Sequence, residues 1–319
     1  MKNALAAKLI ENIKLVIVGK DDTIFSAAAA LLAEGHVLIE DVPGVGKTQL
    51  ASAMAKSVSG EFNRIQLTPD VMPSDVVGFS MINQSTGELE YRKGAAFCNF
   101  LLADEINRAS PKAQSSLLEA MEERQVSIDG NTHALPKPFM VMATQNPVET
   151  YGTYHLPEAQ MDRFIMKISM GYPTPEEELK VLSRTEYGNP VKAISPVITI
   201  TDITDMQAEV KDVRCAESIK QYIIALCTAT RNDSGIRLGV SPRGSIALYK
   251  AAKAAAYIGG RDYVLPEDVK KLAVPVLSHR IMLAPKGKAD YGSAEGAVKA
   301  VLTRVNVPDS GEAPITKKR

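Results

Sequence analysis

The apolar run His36-Val37-Leu38-Ile39-Glu40 passes through the turn DVPGVGKT (Asp41 to Thr48) directly into a stretch of helix formers. A strand, a Gly-rich turn and a helix in that order leave little choice of local fold. The N–H groups of the turn and of the helix N-terminus converge on one point and form an anion cradle, with Lys47 placed to reach phosphate and Thr48 a divalent cation. The string alone is modest, because Asp41 stands where the usual G-x-x-x-x-G-K-[ST] pattern begins with glycine. A surface turn capped by Asp41 is the plain alternative.

Context favours the cradle. From His36 to about Met170, short apolar strands (HVLIE, FNRIQL, NFLLAD, FMVMAT, FIMKISM) alternate with helical stretches at Gln49 to Val58 and Lys112 to Glu123. That alternation predicts an α/β domain with a parallel sheet flanked by helices. Two segments break the rhythm as β-hairpins: GFSMINQSTGELEYR, turning at Ser85 to Gly87, and QVSIDGNTHALP, turning at Asp129-Gly130, a strong hairpin dipeptide. After Tyr172 the pattern becomes helices punctuated by Pro and Gly: Pro175 to Glu186, Asp202 to Lys211, Ala216 to Arg231, Pro242 to Ile258, Pro266 to Ser278 and Ala294 to Thr303. The expected division is a core at residues 1–172 and a small all-α lid at 173–319, ending in a frayed tail from Val307.

Bulk properties narrow the function classes. With 37 basic and 37 acidic residues among 319, no net field draws in nucleic acid, so a DNA or RNA partner is not expected. The longest apolar stretch, Ile24 to Ala33, is about half a bilayer span, and the amphipathic start with Lys2, Lys8, Glu11 and Lys14 is unlike a secretory signal. A cytoplasmic protein without membrane association is expected. Cys98, Cys215 and Cys227, odd in number and widely spaced, suit reduced thiols.

Further motifs complete the chemistry. NFLLADE is an apolar strand ending in two carboxylates: Asp104 suits the Mg²⁺ side of a nucleotide site and Glu105 suits polarising an attacking water. FMVMAT runs into Gln145-Asn146-Pro147, where Asn146 either orients that water or simply starts a turn. Arg163, in Asp162-Arg163-Phe164, either stabilises transition-state charge from a neighbouring subunit or pairs with Asp162 or Glu158. Arg243 opens a helix, where a cation opposes the helix dipole and calls for an anion: a bound phosphate, or Asp233 or Glu267.

With these residues in place the chain resembles the MoxR family of AAA+ ATPases from about Val16 to Ile281. The likeness is carried by VIVGKDD, LIEDVPGVGKT, LTPDVMPSDVVG, LLADEINRASPKAQSSLLEAMEERQV, ATQNPVE, LPEAQMDRF and GVSPR. The resemblance implies that Val18 and Gly19 contact adenine through backbone. Pro43, Gly44, Val45, Gly46, Lys47 and Thr48 match Walker A, with Gln49 counted among the nucleotide-binding residues; Asp104 and Glu105 match Walker B. Thr48 and Asp104 would serve Mg²⁺. Asn146 matches sensor 1, Arg163 an arginine finger acting on the adjacent subunit, Arg243 sensor 2, and Gln66 a polar switch residue near the catalytic glutamate. The hairpins match inserts that face the pore of a ring.

ATP with Mg²⁺, a homo-oligomeric ring of six subunits, and protein clients that include ones with von Willebrand A domains follow from the same likeness. So does a chaperone-like role in maturing partner proteins or inserting a cofactor or metal. The rival readings are a metal-chelatase-like motor subunit and a nucleotide switch that does not turn ATP over. A nucleic-acid motor is disfavoured by the charge balance, and intact Glu105 and Arg163 weigh against the switch.

Overall fold

The computed structural model describes residues 3–147, 153–186 and 188–308. The tail from residue 309 onward, and Val148 and Glu149 of the ATQNPVE motif, lie outside these. The contacts divide the chain into two compact units, Lys2–Gln207 and Ala208–Arg319.

The first unit opens with α1 (Asn3–Lys14) and α2 (Asp21–Leu32), then β1 (Val37–Glu40) and α3 (Lys47–Val58). Next come β2 (Phe62–Gln66), α4 (Pro73–Val77), and a hairpin of β3 (Gly78–Ile82) and β4 (Leu89–Lys93). β5 (Phe100–Asp104), α5 (Pro111–Glu123), a second hairpin of β6 (Gln125–Ile128) and β7 (Asn131–Ala134), and β8 (Met140–Gln145) follow. α6 (Glu158–Met161), β9 (Met166–Ile168), α7 (Pro175–Thr185), α8 (Pro190–Ala193) and α9 (Ile200–Asp212) complete the series, the division between units falling inside α9.

Five strands form one sheet in the order β2-β5-β8-β1-β9, all parallel. Phe100, Leu101, Leu102 and Ala103 of β5 and Met140, Val141, Met142 and Ala143 of β8 are all buried. Such unbroken apolar runs are what a parallel sheet covered on both faces requires. The second hairpin turns at Asp129-Gly130, with φ of 51° and 79°, as its dipeptide predicts.

The boundary expected at 172/173 falls inside the first unit, because the segment that follows is tied back to the core. Arg184 Nη1 donates to Leu15 O (2.7 Å), Lys56 Nζ to Val191 O (2.8 Å) and Val197 N to Ser57 O (2.9 Å). Asn12 Nδ2 donates to Ser195 O (3.0 Å) and Gln207 Nε2 to Leu31 O (2.8 Å).

The second unit holds α10 (Glu217–Arg231), β10 (Ile236–Leu238), α11 (Pro242–Ile258), α12 (Pro266–Leu277), β11 (Met282–Leu283), α13 (Pro285–Tyr291) and α14 (Ala294–Arg304). α11 starts at Pro242 because Ser241 caps it, its side chain accepting from Gly244 N at 3.3 Å. Ala251, Ala252 and Ala255 of α11 and Val269, Leu272 and Val276 of α12 supply its buried apolar core. β10 and β11 pair antiparallel, a small sheet that an all-α reading of this region misses.

Candidate functional site

The carboxyl ends of the five parallel strands lie along one edge of the sheet. Across that edge run Gln66 (β2), Asp104 (β5), Thr144 and Gln145 (β8), Glu40 with Asp41 (β1), and Ser169 after β9, in register as Gln66↔Asp104 and Gln145↔Glu40. Neighbouring parallel strands lie about 4.8 Å apart, so Asp104 and Asp41, two strands apart, are separated by roughly 10 Å. β8 therefore inserts Thr144 and the buried Asn146 between the glycine loop and the acidic strand end.

In the loop, Gly44 and Gly46 take φ of 85° and 98°, a region a side chain resists, and Gly46 is the N-cap of α3. A turn of this shape leaves its N–H groups and those of the first turn of α3 available to a single anion. Pro43 and Gly44 are exposed and Val45, Lys47 and Thr48 half-buried. Lys47 Nζ donates to Asp41 O at 2.7 Å, folding the lysine across the mouth of the loop.

Asp41 is not a surface cap. Only 8% exposed, it accepts through Oδ2 from Ser169 Oγ (2.9 Å), Met170 N (2.7 Å) and Gly171 N (2.7 Å), and through Oδ1 from Val42 N (2.9 Å). Burial pushes its carboxyl up, but these bonds, led by that from Gly171, outweigh burial and hold it below the ordinary carboxylate value. The residue in the first-glycine position anchors the loop to the segment leaving β9.

At the acidic strand end both oxygens of Asp104 are engaged. Oδ1 accepts from Thr144 Oγ1 (2.7 Å), and Oδ2 accepts from Arg64 Nε (3.0 Å) and Nη2 (2.7 Å). Thr144 Oγ1 in turn accepts from Glu105 N at 2.9 Å. Glu105 sits in the left-handed region (φ 57°, ψ 52°), which turns its side chain out of the strand's alternation. Its Oε2 accepts from Gln66 Nε2 (2.7 Å) and Arg108 Nη1 (3.0 Å). Arg64, Arg108 and Thr144 escape a sequence reading because strand register and one local turn bring them here.

Beside the loop lies a cavity of about 240 Å³ walled by Val16, Ile17 and Val18, by Gly44, Val45 and Gly46, and by Met170 and Val181. Gln49 lines it too, with Oε1 buried and without a hydrogen-bond partner among the described residues. Gly19 packs against Glu177 so closely that a Cβ would come within 1.8 Å of Oε1. An apolar slot with an orphaned acceptor, beside a lysine and converging N–H groups, is a set of walls and donors that suits a nucleoside polyphosphate.

Arg163 stands apart from these residues. Arg163 precedes β9 while Ser169 follows it, so they stand at opposite edges of the sheet, with roughly 13 Å of extended chain between Ile165 and Ser169 alone. Its Nε pairs with Glu122 Oε2 of α5 at 3.1 Å. Arg243 is exposed in the first turn of α11, in the second unit. Asp233, one suggested counter-ion for it, is held by Arg304 Nη2 (2.6 Å) and Tyr291 OH (2.8 Å).

The model of the ATPase family associated with various cellular activities (AAA) matches residues 36–166, and that of the AAA lid domain matches 228–300. A solved structure of a candidate ATPase from Cytophaga hutchinsonii superposes with a TM-score of 0.88 at 41% identity, covering 96% of both chains. The YeaC protein of Bacillus subtilis (strain 168) is 54% identical over 304 residues, 95% of each chain. Sheet, phosphate loop and lid together define an AAA+ ATPase. Chaperone MoxR1 of Mycobacterium tuberculosis is 42% identical over 316 residues, 96% of this chain and 83% of that one. The chain belongs to the MoxR family of AAA+ ATPases, and ATP hydrolysis is its activity. Among the described residues no helix is long and apolar enough to cross a membrane.

Proposed function

We propose that this ATPase works as a ring of six subunits in the cytoplasm, hydrolysing ATP with Mg²⁺ to remodel protein clients during their maturation or the insertion of a cofactor or metal. In this reading the loop Pro43–Thr48 and Gln49 hold the phosphates, Val18 and Gly19 meet the base, and Thr48 and Asp104 serve the metal. Glu105 activates water, Asn146 orients it, and Arg243 closes on the nucleotide from the lid. When bound, Mg²⁺ would offset charge on the phosphates.

The observation that carries this reading is the meeting of the glycine loop, Asp104–Glu105 and Asn146 at one sheet edge. The ring is supported by Arg163, which lies at the opposite edge from its own loop and so suits a neighbour's site. The chaperone role is supported by MoxR1, a relative named as a chaperone; clients with von Willebrand A domains follow from the family likeness alone. The test is calorimetric titration of ATP into Lys47→Ala beside mass measurement of the wild type with and without nucleotide. Loss of binding and a six-subunit mass are expected; unchanged affinity would overturn the loop assignment, and a monomer under every condition the ring.

A further inference from the structure

Gln49 stands two residues after Lys47 on α3, and side chains two apart on a helix point about 200° away from each other. Lys47 folds across the mouth of the loop onto Asp41 O, whereas Gln49 enters the wall of the slot beside it. Its backbone still belongs to the cradle. The first bond into α3 runs from Leu50 N to Gly46 O (3.0 Å), so the Gln49 N–H is one of the open donors of the helix start. Backbone and side chain of this one residue therefore address two different parts of a nucleotide.

Three polar side chains line the slot, and two are already engaged. Lys20 Nζ donates to Tyr172 O (2.9 Å) and pairs with Glu177 Oε2 (3.7 Å), and Arg184 Nη1 donates to Leu15 O (2.7 Å). The third is Gln49, whose Oε1 is buried and has no hydrogen-bond partner among the described residues. The remaining wall is largely apolar, with Val16, Ile17, Val18 and Val45 in it. Met170 faces the loop, a Cβ on Gly46 falling 3.5 Å from its Cε, and its backbone is fixed because Met170 N and Gly171 N both donate to Asp41 Oδ2. A buried acceptor is costly unless a donor meets it, and no other side chain of this wall offers one. The slot thus suits a flat apolar ring that brings its own N–H.

We propose that the Gln49 side chain is a specificity-determining residue for the nucleobase: Oε1 accepts a hydrogen bond from an exocyclic amine, the 6-amino group of adenine. The inference rests on the reading of loop and slot as a nucleotide site. A base without that amine displaces water from the slot and strands Oε1, and this mismatch, more than the lost contact itself, is what rejects it.

The experiment uses the full chain as wild type, Gln49→Met, which keeps the length of the side chain without its amide, and Lys47→Ala, each checked for folding by thermal melting. Calorimetry measures binding of ADP, of 2′-deoxy-ADP and of purine riboside 5′-diphosphate, which lacks only the 6-amine; diphosphates avoid turnover. Backbone contacts of Val18 and Gly19 to the base are common to both Gln49 forms, so the comparison is between proteins rather than between ligands. The preference for ADP over the amine-free nucleotide should be about tenfold or more greater in the wild type than in Gln49→Met. If Gln49→Met does not fold, Gln49→Ala decides by the same ratio.

An equal preference in wild type and variant overturns the proposal. So does a variant that keeps the preference for the amine but loses that for the 2′-hydroxyl, since Oε1 would then serve the ribose. Unchanged ADP affinity in Lys47→Ala instead overturns the parent reading of the loop as the phosphate site.

Discussion

Gln66 at the end of β2 donates from Nε2 to Oε2 of Glu105, one residue past the end of β5, at 2.7 Å, and Arg108 Nη1 reaches the same oxygen at 3.0 Å. The glutamate is thus held by two donors on one oxygen. Glu105→Gln removes the proposed base while keeping its size, so ATP should bind at wild-type affinity and turn over slower by about 10² to 10⁴. Single-turnover hydrolysis beside calorimetry checks this; wild-type turnover would move the water-activating role elsewhere.

Asp41 carries a second expectation. Its carboxylate accepts four hydrogen bonds, from Val42, Ser169, Met170 and Gly171. Asp41→Asn turns a donor group toward those N–H donors and should cost about 1 to 3 kcal/mol of stability at neutral pH. Because the folded carboxyl lies below its ordinary value, this stability is present above about pH 3.9 and lost as pH falls through the folded value. Denaturant titrations should show the variant and the wild type converging in acid; a gap that stays constant would refute the assignment.

Arg163 supplies the third. Since it stands at the opposite sheet edge from its own phosphate loop, Arg163→Ala should lower turnover by about 10³ to 10⁵ with little change in ATP affinity. Mixing it with Lys47→Ala subunits should restore part of the activity, because one kind of interface then joins an intact loop to an intact arginine. No recovery in rings shown to be mixed would sink action in trans.

What the sequence discloses and what it hides divides along physical lines. Helix starts at Pro175, Pro242 and Pro266 and the turn at Asp129-Gly130 were legible because proline, side-chain caps and left-handed turns act locally. Glycine loop and acidic strand end were legible for the same reason. The division of the chain was not. The ties that bring α7 to α9 back to the core, such as Asn12 to Ser195 and Gln207 to Leu31, join residues far apart in sequence and leave no periodic mark. Arg64 was hidden likewise, its partner Asp104 being set by the register of β2 on β5. Asp41 read as a departure from a pattern, and only the approach of residues 169–171 gives its carboxylate a use.

Buried His36, beneath the loop strand, gives a last prediction. Its Nδ1 accepts from Val141 N (2.9 Å), so Nε2 carries the proton and donates to Met121 O (2.9 Å), tying the start of β8 to α5. Burial, with a smaller effect of the Arg124 charge, lowers its pKa to about 4 against the pull of the Met121 carbonyl. The charged form would lose the Val141 acceptor. Because the unfolded chain takes up this proton near pH 6.5 and the folded one does not, stability should rise with pH between about 4 and 6.5 and be flat above. The span corresponds to roughly 3 kcal/mol from this one ring. A His36→Gln variant, less stable at neutral pH, should lack that part of the slope; identical acid slopes by chemical denaturation would show that His36 does not carry it.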